Sequence, residues 1–168
     1  MLPDPILRQA LKWQLRRAQK AGLTSMLREG AQKAHIPVEY ALAIASRETG
    51  IRNLLGDGGQ GIGVCQIDVR FHEIAKRAKL TGSWKTFPLP LIEYGCAMLG
   101  ENIGWARRTF PDLDFQQCLK VAASAYNCGR SGARLGHEAE DSDLRTTGKD
   151  YGRDVLKRMK IFAELISA

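Results

Sequence analysis

"SRETGIRNLLGDGGQGIGVCQID", residues 46–68, sets three carboxylates, Glu48, Asp57 and Asp68, among six glycines in a chain that otherwise reads as helix. Within it "GDGGQG", 56–61, has the GxGxxG spacing of a dinucleotide-binding turn. The context is wrong for that reading: "GVCQID" follows where a helix should begin, no βαβ pattern surrounds it, and no acidic residue sits suitably downstream. A flexible surface loop is the ordinary fate of glycine-rich sequence. Against it, "GIGVCQIDV" alternates Ile62, Val64 and Gln66 with small or polar neighbours, which predicts an ordered, half-buried strand. Glycine in such a strand allows close approach of backbone to backbone or of backbone to a ligand.

Outward from this stretch the 3.6-residue period dominates. Ile6, Leu7, Ala10, Leu11, Leu15 and Ala18 predict one apolar face of a first helix, with Arg8, Lys12, Arg16 and Lys20 on the other. A short helix is expected over 24–34, and Pro37, suited to a first helical turn, opens another through "VEYALAIASRE", which puts Glu48 at that helix's C-terminal end. Further helices are expected at 70–79, from Pro90 to about residue 109, at 114–126 and at 150–166. No repeat, linker or low-complexity tract interrupts them. The pattern predicts one mainly α domain over 1–168, with a small irregular sheet at 58–68 and residues 1–30 as a helical extension packed on it.

Composition agrees with an ordinary globular chain: 168 residues, 44% hydrophobic and 26% charged, enough to bury a core without staples. The formal charge of +7 predicts attraction to polyanions, whether nucleic acid, anionic membrane or the acidic polymers of a bacterial envelope. The first 22 residues scatter Arg and Lys through the apolar positions, so no signal-peptide core is visible, and no later run is long enough to span a membrane. Cys65, Cys96, Cys118 and Cys128 form no CxxC pair. If Cys118 and Cys128 share a helix, roughly 15 Å separates them, too far for a disulfide; small buried or part-buried thiols are expected. Three histidines (His35, His72, His137) without ligand spacing predict no metal site and no cofactor.

A carboxylate at a helix end, two more across a glycine turn and no metal-ligand set fit glycoside hydrolysis. That chemistry needs one protonated carboxylic acid for the leaving oxygen, and ionised carboxylates to hold water or stabilise an oxocarbenium ion. Glu48 suits the acid, because "YALAIAS" before it supplies an apolar wall and burial raises a carboxyl pKa. Arg47 points about 100° away on the helix. Asp57 and Asp68, on the glycine side and open to water, suit the ionised role. Tyr126 and Asn127 offer a phenol and an amide for an N-acetyl group, although a capped helix end before Gly129 would explain them equally. Taken singly, each of these acids is an ordinary surface charge, His72 an ordinary surface histidine, and "TTGKDY" an ordinary helix start with Asp150 on its dipole.

In order along the chain, "SRETG", "GDGGQGIGVCQID" followed by "VRFH", "SAYNCG" and "TTGKDYGRDVLKRMK" resemble the goose-type (g-type) lysozymes of glycoside hydrolase family 23 and, more distantly, the soluble lytic transglycosylases. The resemblance runs from about residue 35 to 165. It implies a lysozyme-like fold, a helical bundle with a small irregular β-sheet lining a saccharide cleft. It implies that Glu48 is the general acid and that Asp57 and Asp68 hold the attacking water of an inverting hydrolase. It also implies that Gln66, His72, Tyr126, Asn127 and Tyr151 line the sugar cleft. The hen-type lysozymes are retaining enzymes, so their second-carboxylate role does not transfer. The chain departs from the pattern at Thr49 in place of Ser, at "GVCQ" in place of "GLMQ" and at Cys128 in place of a small Ala, and its stretch between Glu48 and Asp57 is compact beside the vertebrate members.

The expected activity is that of a muramidase, cleaving the β-1,4 bond between N-acetylmuramic acid and N-acetylglucosamine in bacterial peptidoglycan. Three rivals stand beside it. A lytic transglycosylase would form 1,6-anhydro products with a single acid–base carboxyl, a need that the pair Asp57 and Asp68 exceeds. A wall-binding module with a decayed site would be expected to lack Glu48. A nucleic-acid binder would show an aromatic-interleaved basic patch, which is absent from the sequence. The partners implied are peptidoglycan glycan strands and a proteinaceous lysozyme inhibitor or immunity protein, with the chain a monomer. The expected place of action is the bacterial cell wall, periplasmic or extracellular. The chain as written would reach it from the cytosol by lysis or a dedicated secretion route, unless it is a mature form.

Overall fold

A computed structural model describes residues 4–167; residues 1–3 of the expected N-terminal extension, and residue 168, lie outside it. Seven α-helices and a three-stranded sheet make up the described chain: α1 (Asp4–Lys20), α2 (Leu23–Lys33), α3 (Val38–Thr49), β1 (Leu55–Gly56), β2 (Gly61–Ile62), β3 (Ile67–Asp68), α4 (Glu73–Thr81), α5 (Leu89–Thr109), α6 (Phe115–Glu138) and α7 (Tyr151–Ser167). This is the mainly helical, lysozyme-like architecture expected.

Helix α3 lies at the centre. Every residue from Tyr40 to Ser46 is buried, so its sequence is apolar around most of its circumference rather than along one stripe. Tyr40, fully buried, satisfies its hydroxyl by donating to the Leu119 carbonyl of α6 at 2.9 Å. Helix α7 packs on α3 and α6, α5 packs between α2 and α6, and α1 contacts α2 and α7. Gly50, at φ 63°, ends α3 in the left-handed conformation that glycine adopts without a Cβ penalty. Asp114 and Gln117 form a reciprocal capping box that starts α6, and Pro90 sits in the first turn of α5.

Three expectations need correction. Ile6 is 57% exposed: the buried stripe of α1 is Leu7, Leu11, Leu15 and Ala18, and Ile6 falls outside that arc. The alternating "GIGVCQIDV" is two strands rather than one, because a turn over 63–66 folds β3 back on β2, pairing Gly61 with Asp68 and Ile62 with Ile67. The sheet therefore begins earlier than expected, β1 pairing Leu55 with Ile62. Finally, Gly129 breaks α6 without ending it. Its φ of 77° and ψ of 158° interrupt the helical path, which resumes to Glu138 and buries Ala133 and Gly136.

Candidate active site

Glu48 occupies the last turn of α3, half-buried behind the apolar wall of that helix. Burial holds its carboxyl pKa above the usual value, against two weaker opposing influences, a hydrogen bond from the Tyr151 hydroxyl and the charge of Arg47. Arg47 is turned to the other side. Its guanidinium bonds Asp154 and Asp150 at 3.0 Å each and lies over the Tyr151 ring, with its centre 5.5 Å from the ring centroid. The adjacent cation is thus paired with Asp150 and with Asp154 of α7, and burial is the dominant influence at Glu48. The Tyr151 hydroxyl donates to the Glu48 carboxylate, and burial pushes that phenol well above its ordinary pKa, so it stays a donor through neutral pH.

Tyr126 stands beside this pair. Its hydroxyl donates to the Cys65 carbonyl at 2.7 Å, tying α6 to the turn between β2 and β3. Thr49 ties the same turn to α3: its buried hydroxyl lies 3.1 Å from the carbonyl oxygens of both Ala45 and Val64 and accepts the Arg52 N–H at 3.0 Å. Thr49 therefore joins helix to hairpin through its hydroxyl. Cys65 fits the close approach of α5, where a Cβ added at Gly95 would lie 2.7 Å from the cysteine's own Cβ.

The two aspartates gather around Arg70. Asp68 receives the Arg70 guanidinium through Nε at 3.0 and 3.1 Å and through an Nη at 2.6 Å, and it also accepts the Arg70 backbone N–H at 2.8 Å. Hydrogen bonding to Arg70 lowers the Asp68 pKa, keeping that carboxylate ionised. Asp57 meets the same guanidinium at 3.5 Å from a side chain 73% exposed, and its own backbone is left-handed at φ 48°. His72, just before α4, places Nδ1 3.0 Å from the Tyr94 hydroxyl.

Two other expected cleft residues are engaged by hydrogen bonds to the protein itself. The Gln66 amide donates to the Leu54 and Gly63 carbonyls at 3.1 and 2.9 Å, and a Cβ at Gly56 or Gly61 would come within 2.0 or 2.5 Å of its Oε1. The glycines of β1 and β2 thus make room for Gln66, which braces the sheet from within. Asn127 accepts the Thr147 N–H at 2.9 Å, holding α6 against the segment that leads into α7.

Sequence reasoning missed the group that sets Tyr151. Asp143, fully buried, accepts the Ser124 hydroxyl at 2.8 Å and the N–H groups of Gly152 and Arg153 at 2.6 and 3.0 Å. It caps the N-terminus of α7 from outside that helix, so no capping motif next to Tyr151 announces it. Gly152 completes the junction: a Cβ there would lie 2.7 Å from the Lys120 carbonyl oxygen. Nothing local in "EDSDLRTTG" marks Asp143 as buried, because its partners lie 9 to 19 residues away.

These features sit within a sequence match. A model of the family described as Lysozyme g covers residues 18–165. Among similar proteins, lysozyme g of Struthio camelus is 31% identical over 144 residues, 83% of this chain and 65% of its own. Lysozyme g of Gallus gallus is 33% identical over 114 residues, 68% of this chain and 49% of its own. Lysozyme g of Takifugu rubripes is 30% identical over 138 residues, 80% of this chain and 70% of its own. The chain spans about half to two-thirds of the length of the two avian relatives. With the family match running through Glu48, the hairpin and Tyr151, the chain belongs to the lysozyme g family.

Proposed function

We propose that the chain is a muramidase that hydrolyses the β-1,4 bond between N-acetylmuramic acid and N-acetylglucosamine in peptidoglycan, acting on the bacterial cell wall. The observation that carries this reading is the contrast between carboxyls: burial favours the protonated form of Glu48, whereas Arg70 holds Asp68 ionised. Glu48 gives its proton to the departing glycosidic oxygen. The Tyr151 hydroxyl fixes the orientation of the Glu48 carboxyl and stabilises the carboxylate left after proton transfer. Asp68, positioned by Arg70, and Asp57 beside it orient a water for attack on the opposite face of the sugar, which inverts the anomeric centre. Tyr126 and His72 suit the walls that hold the glycan. The two aspartates speak for water as the nucleophile rather than for internal attack by the sugar's own hydroxyl.

Mass spectrometry of muropeptides released from purified peptidoglycan tests the reading, because reducing ends and 1,6-anhydro ends differ by one water. Reducing ends are expected, of α configuration when first released. Glu48→Gln should lower turnover by about 10²- to 10⁴-fold, the usual contribution of a general acid. Anhydro ends, or activity of Glu48→Gln within about threefold of the unaltered protein, would overturn it.

A further inference from the structure

Behind the C-terminal end of Glu48's helix lies a cavity of about 420 Å³ that the proposed reaction does not use. Three cations reach it from three parts of the fold: Arg17 of α1, Arg52 after α3, and Lys85 in the turn that follows α4. Leu23, Met26 and Ile51 supply an apolar floor, and no carboxylate lines it among the described residues. The size is that of a small-ligand pocket.

The cations are held in place yet keep free donors. Arg17 donates an Nη to the Gly50 carbonyl and stacks its guanidinium 4.3 Å from the Trp13 ring centroid. Arg52 is anchored by Nε to the Thr49 carbonyl at 2.9 Å, a bond that uses neither of its terminal nitrogens. Lys85 lies over Trp84, its Nζ 5.8 Å from the ring centroid. Three uncompensated cations in one concavity repel one another, a cost that an anion removes. Two guanidiniums favour a planar carboxylate, which they bind bidentately, and the apolar floor favours a short hydrocarbon beside that carboxylate.

We infer that this cavity binds the free C-terminal carboxylate of a short peptide, with the methyl group of its last residue on the Leu23, Met26 and Ile51 floor. On the muramidase reading, which this inference rests on and deepens, that ligand is the stem peptide carried by N-acetylmuramic acid. Reach is sufficient: Glu48 and Arg52 are four residues apart, so their α-carbons are separated by at most about 14 Å, the span of an extended four-residue stem.

Titration of the whole protein with diacetyl-Lys-D-Ala-D-Ala, with the same tripeptide as its C-terminal amide, and with inorganic phosphate tests the site directly. The free acid should bind at least tenfold more tightly than the amide. The doubly altered Arg52→Gln, Lys85→Gln protein should bind it at least tenfold more weakly while unfolding at the same temperature, since both side chains are exposed. Equal binding of acid and amide, undiminished binding by the altered protein, or tighter binding of inorganic phosphate than of the tripeptide would each overturn the inference. Kinetics separate this outcome from failure of the muramidase reading. The altered protein should show a several-fold higher KM on intact peptidoglycan at unchanged kcat, and unchanged kinetics on glycan stripped of its peptides by an amidase. Equal kinetics of the two proteins on both substrates would sink the stem-peptide role and leave the muramidase reading standing. Cleavage of neither substrate by either protein would sink that reading and with it the stem-peptide role, and the peptide titration would still decide whether the carboxylate site exists.

Discussion

Asp143→Ala removes a fully buried carboxylate that accepts three hydrogen bonds, two of them from the backbone N–H groups that open α7. Ser124 has an alternative, because its hydroxyl also lies 3.0 Å from the Lys120 carbonyl, so its loss is small. Gly152 and Arg153 have no such recourse, and each stranded N–H costs about 1–3 kcal/mol. Water entering the vacated space recovers part of that, which places the expected destabilisation at about 2–4 kcal/mol. For a chain of this length the melting temperature should fall by about 2–4 °C per kcal/mol, to be measured by calorimetry and by urea unfolding with an unchanged m-value. Asp143→Asn keeps one acceptor oxygen and should fall between the two. Activity should drop further than stability explains at temperatures where the variant is folded, because Tyr151 begins the helix that Asp143 caps and the Tyr151 hydroxyl reaches Glu48. A loss below about 1 kcal/mol for the alanine variant would refute the claim that this carboxylate anchors α7.

Glu48 holds its proton more tightly folded than unfolded, so the folded state binds more protons just above the ordinary carboxylate range and stability must decline as pH rises through that window. Relative to the unaltered protein, Glu48→Gln should therefore gain stability as pH rises above the ordinary carboxylate range, about pH 4, with each tenfold by which burial favours the protonated acid worth about 1.4 kcal/mol; parallel stability–pH curves would contradict it. Gly56→Ala should push the Gln66 side chain out and break its bonds to Leu54 and Gly63, costing about 1–3 kcal/mol, while the same change beside Gln66→Ala should cost much less, a coupling readable from a double-mutant cycle. Lysis of whole cells should weaken as salt screens the excess positive charge, while cleavage of a short neutral chitin oligomer, if it is a substrate, changes little; equal salt dependence on both would remove electrostatic targeting from the account.

Much of this was legible because local rules and tertiary packing agree over most of the chain. Pro37 and Pro90 mark helix starts, Gly50 marks the end of α3, and the unbroken apolar run through "YALAIAS" announces a central helix with a desolvated carboxyl at its tip. The failures cluster where one residue has two physical explanations. Gly129 reads as a helix stop, and a stop and a break that resumes have the same local signature; only the burial of Ala133 and Gly136 beyond it decides between them. The alternation in "GIGVCQIDV" satisfies a strand, but it also satisfies two strands whose turn needs left-handed backbone at Gly63 and Gln66, at φ 79° and 51°. Asp143 was invisible for another reason: its partners Ser124, Gly152 and Arg153 are 9 to 19 residues away, and no periodicity carries a contact of that kind.

The glycines around 56–61 show how the two levels meet. Glycine in this stretch was expected to allow close approach of a backbone or a ligand, but the glycines of β1 and β2 are first of all space for Gln66, whose amide holds the Leu54 and Gly63 carbonyls from inside the hairpin. That brace is what lets so short a sheet, two residues per strand, keep a fixed shape. A fixed hairpin in turn gives Arg70, two residues past the end of β3, a constant position from which it can grip Asp68 and reach Asp57. Steric room and the placement of the two aspartates are therefore not alternatives here. The room is taken up by Gln66, and the rigidity that results is what brings the two aspartates to one guanidinium, so loosening the brace should blur their placement before it unfolds the domain.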